Sequence, residues 1–449
     1  MSGNLVLSAG AILGSVALLA GVLAGVSAVT RRFGLQPELG RKLVHISLGL
    51  YCLTFPLIFH AVWEVVATCA LASGVLLLAR YRPRLGAALH GVARVSLGEL
   101  MFAASVALLF YLKDGCYVLA RHGAPQGSQP VLYVLPLLIL TLSDAASALV
   151  GVNYGRLRFR VEDGYKSVEG VVAFVLTAWL LALISLLVLT DLPRGQVIVL
   201  ALITALFGAL FEAASWRGLD NLFIPIGLYF VLANLMPHGI GVWVGAAIAF
   251  AAAAALLMAL GAREGLRRTT VAAGASLLFC VVIFAGPLAV LTPGVAFAAY
   301  LAVWRSAERR SDAVDMIAAA LTLALGIFLL SNLLARDTIF AFNLAFASLA
   351  AAILARFGRL KPGVLALLIS AICAAALVRV VIADGFAAAT LMLAAPAAGV
   401  ILLVVAVAAG LKRLSPERPW LKLSALSFVA GQAALLLPPG LWPAPEWAR

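Results

Sequence analysis

The sequence predicts an all-α fold, a polytopic transmembrane helical bundle, and three observations predict it. The chain of 449 residues is 64% hydrophobic and 11% charged, whereas an ordinary soluble domain is closer to half apolar. Apolar runs of roughly 17–25 residues follow one another, each sufficient to cross about 30 Å of hydrocarbon as a helix. The charges gather at the breaks between those runs, and the basic ones recur at every second break.

About sixteen spans result. In the first half they run approximately over residues 5–30, 43–59, 62–79, 99–119, 131–150, 169–190, 196–214 and 222–236. In the second half they run approximately over 240–260, 270–286, 288–304, 314–334, 338–355, 363–382, 386–411 and 423–440. Of the 32 Lys and Arg, all except Lys113, Arg121, Arg194, Arg336, Arg379 and Arg449 fall in or beside the loops after odd-numbered spans. The positive-inside rule then puts those loops in the cytoplasm and both termini outside. The formal net charge of +13 is therefore topological and does not point to nucleic acid. The first run lacks a basic leader and ends at Arg31-Arg32, so it reads as an uncleaved anchor. Cys52, Cys69, Cys116, Cys280 and Cys373 stand singly with no CxxC, which excludes a zinc or redox motif and a disulfide framework.

Four charged clusters in the first half carry the chemistry. Arg41, Lys42 and His45 open the second span on one helix face, as a surface anchor or as a cationic grip on phosphates. Arg94 and Glu99 bring a base and an acid to the start of the fourth span, where the helix dipole also favours a glutamate. Asp144 lies inside the apolar fifth span, near the end at which the dipole is unfavourable, with no partner close in sequence. An intramembrane acid is a functional residue by default, an ion pair with Arg156 or Lys166 being the structural reading. Ser147, Ala148 and Gly151 form a small-residue stripe that permits close approach of a helix or ligand.

A basic loop follows, with Gly151, Gly155 and Gly164 for turns and Arg156, Arg158, Arg160 and Lys166 for charge. It is not a Walker A loop, because Tyr165 stands where glycine is required. Ser167 is placed to cap the next helix and Glu169 lies in its first turn, so Lys166 beside a helix N-terminus suits phosphate oxygens. In the fourth cluster, Glu212 lies within the seventh span and Asp220-Asn221 open the eighth, with a Glu212–Arg217 pair as the structural reading. All four clusters fall on the cytoplasmic side. Beyond residue 240 no acid lies deep in a span, and Asn332, Asn343 and Gln432 read as packing contacts. A boundary near 238–240 divides a catalytic domain, 1–238, from a further multi-span domain, 239–449.

With these residues assembled, the first half resembles the phytol kinase, dolichol kinase and polyprenol kinase family. RKLVH at 41–45, RVSLGEL at 94–100, SDAASALVGVNYG at 143–155 with YKSVEG at 165–170, and EAASWRGLDNLFIP at 212–225 are similar, in order, to that family's motifs. The likeness covers about residues 40–236. It implies a kinase that uses CTP, or another nucleoside triphosphate, to phosphorylate the hydroxyl of an isoprenoid alcohol in the bilayer. It implies an active site on the cytoplasmic face of the inner membrane of a bacterium. By the same resemblance, Asp144 holds Mg2+ with Asp220 or Glu169. Arg41, Lys42, His45, Arg94, Lys166, Gly151, Gly155, Arg156, Ser167 and Gly170 meet the triphosphate, and Glu212 or Glu99 deprotonates the alcohol. Phosphatidate cytidylyltransferases share an acid followed by K-x-x-EG, and Ser143 stands where many of the kinases have glycine. A CDP-lipid synthase is therefore the alternative, and a transporter or flippase is the non-enzymatic one. The second half reads as a packing or dimerisation module.

Overall fold

In the computed structural model, residues 2–80, 98–115, 129–161, 164–214, 218–263, 268–285, 290–304, 312–334, 338–357 and 419–435 are described. The expected spans at 363–382 and 386–411, and Arg94, lie outside them. The chain divides into two compact units, the first running to Ala251 and the second built mainly from the residues after it.

The first unit opens with α1 (Ser2–Phe33) and α2 (Pro37–Cys52). Pro37 is at a helix start, where a missing N–H costs nothing. The second expected span is not continuous: it breaks after Cys52 and resumes as the single turn α3 (Phe55–Ile58). Pro56 is the cause, since it has no N–H to donate to the Cys52 carbonyl four residues back. Tyr133 Oη donates to that carbonyl instead, at 2.6 Å. α4 (Val62–Arg80) and α5 (Gly98–Leu112) follow. Glu64 accepts the backbone N–H groups of His60 and Ala61 at the start of α4, at 2.8 and 3.0 Å.

The fifth apolar run is one helical rod in three parts: α6 (Pro130–Leu138), a π turn (Ile139–Ser143) and α7 (Asp144–Tyr154). Asp144 therefore begins a helical segment just past a widened turn. The antiparallel strands β1 (Arg158–Val161) and β2 (Gly164–Ser167) come next, in a stretch the sequence reading treats as a loop. Then α8 (Val168–Leu189), α9 (Arg194–Ala214) and α10 (Asp220–Leu235) follow, and α11 (Ile240–Arg263) begins in this unit and carries the chain past Ala251 into the second. The π turn lies against α2, α8 and α10, and α10 also packs on α5, α6 and α9, so α6 and α10 form the unit's core. Phe174, Leu228, Tyr229 and Phe230 are fully buried there. The outward faces of α8 and α9 are exposed leucine, isoleucine and valine, as hydrocarbon contact requires.

The second unit contains α12 (Arg268–Ala285), α13 (Leu291–Trp304), α14 (Asp312–Leu333), α15 (Thr338–Phe357) and α16 (Pro419–Leu435). α15 packs on α13, α14 and α16, and Thr292 Oγ1 donates to Asn343 Oδ1 at 3.0 Å. Across the described residues, five helices are long and apolar enough to cross a membrane: Leu5–Phe33, Pro130–Tyr154, Val168–Leu189, Arg194–Ala213 and Ile240–Arg263. Six shorter apolar helices accompany them.

Candidate active site

α2 supplies the first half of the site. Lys42, His45 and Gly49 follow at intervals of three and four, so they share the face turned to the π turn. The approach is close because residue 49 has no side chain: a Cβ there would stand 2.2 Å from Thr141 Oγ1. Lys42 Nζ donates to Asp144 Oδ2 at 2.6 Å, and the two side chains are only 3% and 8% exposed. His45 Nε2 lies 3.7 Å from the same oxygen and donates to the Leu140 carbonyl at 3.1 Å. A π turn leaves carbonyls open to other donors, and this one is met by an imidazole N–H. The His45 ring is held edge-on against Phe102 of α5, with centroids 5.1 Å apart. The partner of Asp144 is thus Lys42, 102 positions away, and not Arg156 or Lys166.

Lys166, on β2, turns to the other acid. Its Nζ donates to Glu212 Oε1 at 2.9 Å and also contacts the Glu212 carbonyl oxygen. Arg217, the expected partner of Glu212, lies outside the described residues. A third junction joins α5 to α10, where Asn221 Nδ2 donates to the Gly98 carbonyl at 2.9 Å. It joins the first turn of α5, which holds Glu99, to the first turn of α10, which holds Asp220. Arg41 forms two bonds to Glu38, at 2.6 and 3.2 Å. Burial works against the Arg41 charge, but Glu38 first, then Asp144 and Asp220, outweigh it and raise its pKa. Glu212 also sits in the field of Asp144 and Asp220. Three carboxylates and the cations Arg41, Lys42 and Lys166 therefore share one electrostatic neighbourhood, assembled from the RKLVH, SDAAS, YKSVEG and EAAS…DN stretches.

One glycine departs from the expected turn role, and the expected close approach is present. Gly151 lies inside α7, not in a turn. A Cβ on Gly151 would stand 3.1 Å from Ser167 Oγ, and one on Gly155 2.7 Å from Ser167 Cβ. One on Gly170 would stand 2.8 Å from the Ser147 carbonyl oxygen. The small-residue stripe thus lets α7 and α8 touch at the root of the hairpin. Ser167 caps α8, its Oγ accepting from Gly170 N at 3.0 Å. Glu169, expected to assist the metal, has Oε1 held by the N–H groups of Arg156 and Leu157 at 3.0 and 3.1 Å. It fastens the hairpin. The Arg156 side chain is exposed at that point.

Two acids of the cluster retain buried oxygens without a partner, Glu212 Oε2 and Asp220 Oδ1, as does the Ser143 hydroxyl. Burying such oxygens without a partner is costly, so each calls for an explanation. Among the described residues no three His, Cys, Asp or Glu side chains close around a metal ion on their own. The carboxylates of Asp144, Glu212 and Asp220 are hard oxygen donors, the kind that a divalent cation such as magnesium takes in ones and twos beside water and phosphate oxygens.

Sequence reading missed Gly49, Thr141 and the hairpin. The hairpin had a signal, the alternation Arg158-Phe159-Arg160-Val161 running into Asp163-Gly164. Gly49 had none, because its partner is on another helix.

Among curated proteins, the phytol kinase of Synechocystis sp. is 32% identical to this chain over 216 residues. The match takes in 48% of this chain and 84% of that protein. No family model and no solved structure matches the chain.

Proposed function

Because the chain belongs to the polyprenol and phytol kinase family, we propose that it transfers the γ-phosphate of CTP to the terminal hydroxyl of an isoprenoid alcohol of the phytol, geranylgeraniol or polyprenol type. The observation that carries this reading is the convergence of Lys42–Asp144 and Lys166–Glu212 beside Asp220 and Arg41. Cations and acids at the ends of apolar helices suit a reaction between a lipid hydroxyl and a water-soluble triphosphate. The prenol buries its tail in the bilayer and presents its hydroxyl at the boundary, and the nucleotide comes from the cytoplasm.

Lys42 and Lys166 are each paired with a carboxylate. A triphosphate offers both lysines stronger partners and releases Asp144 and Glu212. Arg41, Lys42, His45, Lys166 and Arg94 then hold phosphate oxygens, and the capped N-terminus of α8 at Ser167 and Gly170 adds its dipole. Gly151, Gly155 and Arg156 form the edge of that cradle. Asp144 and Asp220 are the residues that would hold Mg2+, which neutralises charge on the β- and γ-phosphates when bound. Glu212 is the base, with Lys166 fixing one oxygen and the other unpartnered; Glu99 is its alternate. The alcohol oxygen forms the new bond to the γ-phosphorus as the bond to the CDP oxygen breaks, and the hydroxyl proton passes to the carboxylate.

The test is kinetic. Purified Asp144→Asn and Lys166→Ala proteins lose CTP-dependent phosphorylation of phytol by about 100-fold or more, as expected when a charge-stabilising group is removed. Full activity in either would remove the assignment.

A further inference from the structure

Two of the helices long enough to span a membrane, Pro130–Tyr154 and Val168–Leu189, are joined directly by the β1–β2 hairpin. If they are spans, the hairpin stands at the edge of the hydrocarbon, and the inference rests on that reading. The hairpin is fixed to its root by Glu169 under the Arg156 and Leu157 amides and by Ser167 against Gly151 and Gly155. Its register pairs Phe159 with Lys166 and Arg160 with Tyr165, so alternate residues face opposite ways. On one face Val161 is buried and Lys166 reaches Glu212. On the other, away from the buried Ser167, Tyr165 is 69% exposed and the Arg158 side chain is exposed; at the base of the hairpin Tyr154, at the end of α7, is 71% exposed, Leu157 67%, and the Arg156 side chain is exposed beside them.

Two tyrosines and a leucine interleaved with guanidinium groups make a poor water-facing surface, but that is the composition of a membrane–water boundary. The segment carries Arg156, Arg158, Arg160 and Lys166 against Glu162 and Asp163. It remains cationic with Lys166 committed to Glu212. We propose that this outer face is a docking surface for the anionic headgroups of the cytoplasmic leaflet. Arg158, with its planar fork of donors, takes lipid phosphate, while Tyr154, Leu157 and Tyr165 settle at headgroup depth. Since the opposite face carries Lys166, a hairpin seated on lipid holds that lysine over Glu212, so leaflet charge acts on the geometry of the site.

The test is hydrogen exchange at amides 156–167 of the full chain in nanodiscs. One set is phosphatidylcholine alone, and the other contains about 30 mol% phosphatidylglycerol. The proposal expects these amides to exchange at least about threefold more slowly in the anionic discs, with the difference erased near 0.5 M salt. Peptides within α8 serve as the unchanged reference. Arg158→Gln combined with Tyr165→Ser abolishes the difference. Equal exchange of the native chain in both discs overturns the proposal. So does protection produced by CTP in neutral discs and not by phosphatidylglycerol, which would make the face a nucleotide surface. Because exchange is read without turnover, a failure here is distinct from a failure of the kinase assignment.

Discussion

Lys42 and Asp144 are the residues on which the site turns, and their buried pairing makes a thermodynamic prediction. Asp144→Asn leaves an ammonium in a nearly dry environment, and removing one member of a buried pair costs about 3–5 kcal/mol. Adding Lys42→Met to Asp144→Asn should recover most of that loss while the protein stays inactive. Thermal unfolding in detergent, with phytol phosphorylation measured alongside, separates the two effects. Glu38 gives a pH dependence outside the expected span. Burial raises its pKa, but the hydrogen bonds and charge of Arg41 outweigh this and hold it below its ordinary value of 4.5. A depressed carboxylate contributes stability fully above about that value and loses it as pH falls through the folded one. The melting temperature should therefore decline on acidification below pH 4.5 less steeply in Glu38→Gln than in the native chain. Asp144 itself was legible in sequence as an acid in an apolar run. Its partner was not, because no periodicity along one helix tells which residue of another will face it.

At the scale of elements, the departure from regular helix lies in the rod from Pro130 to Tyr154, whose π turn is packed against Gly49 and His45 of α2. Gly49→Ala should force α2 off that turn and destabilise the protein by about 1–3 kcal/mol, the usual cost of overpacking. Thr141→Ala in the same chain should restore part of it, since the tightest contact of the added Cβ is with the Thr141 side chain. Thermal unfolding of the two variants measures both. Most helix bounds were readable within a few residues from the apolar runs, because a membrane makes each run its own signal. The break at Cys52–Phe55 was not, although Pro56 announced it: only the position of Tyr133 turns a proline in a span into a stop. The hairpin was hidden by brevity, since four residues of alternation are also common in basic loops.

At the scale of the molecule, the distribution of charge and the order of four motifs carried the reading furthest, because both are properties of the chain and do not need side-chain partners. The family relation covers 48% of the chain, and every acid proposed for the site lies between residues 99 and 220. The second unit has buried polar contacts such as Thr292–Asn343 and no comparable cluster of charges among its described residues. We propose that the chemistry resides in the first unit, and one measurement tests the proposed reaction most directly. The full-length protein is incubated with phytol and CTP carrying either a γ-phosphate or a cytidine label, with phosphatidic acid as the competing acceptor. The expected product is phytyl phosphate labelled from the γ position, with no cytidine in lipid. Transfer of the cytidine label to phosphatidic acid, with none from the γ position to phytol, would contradict it.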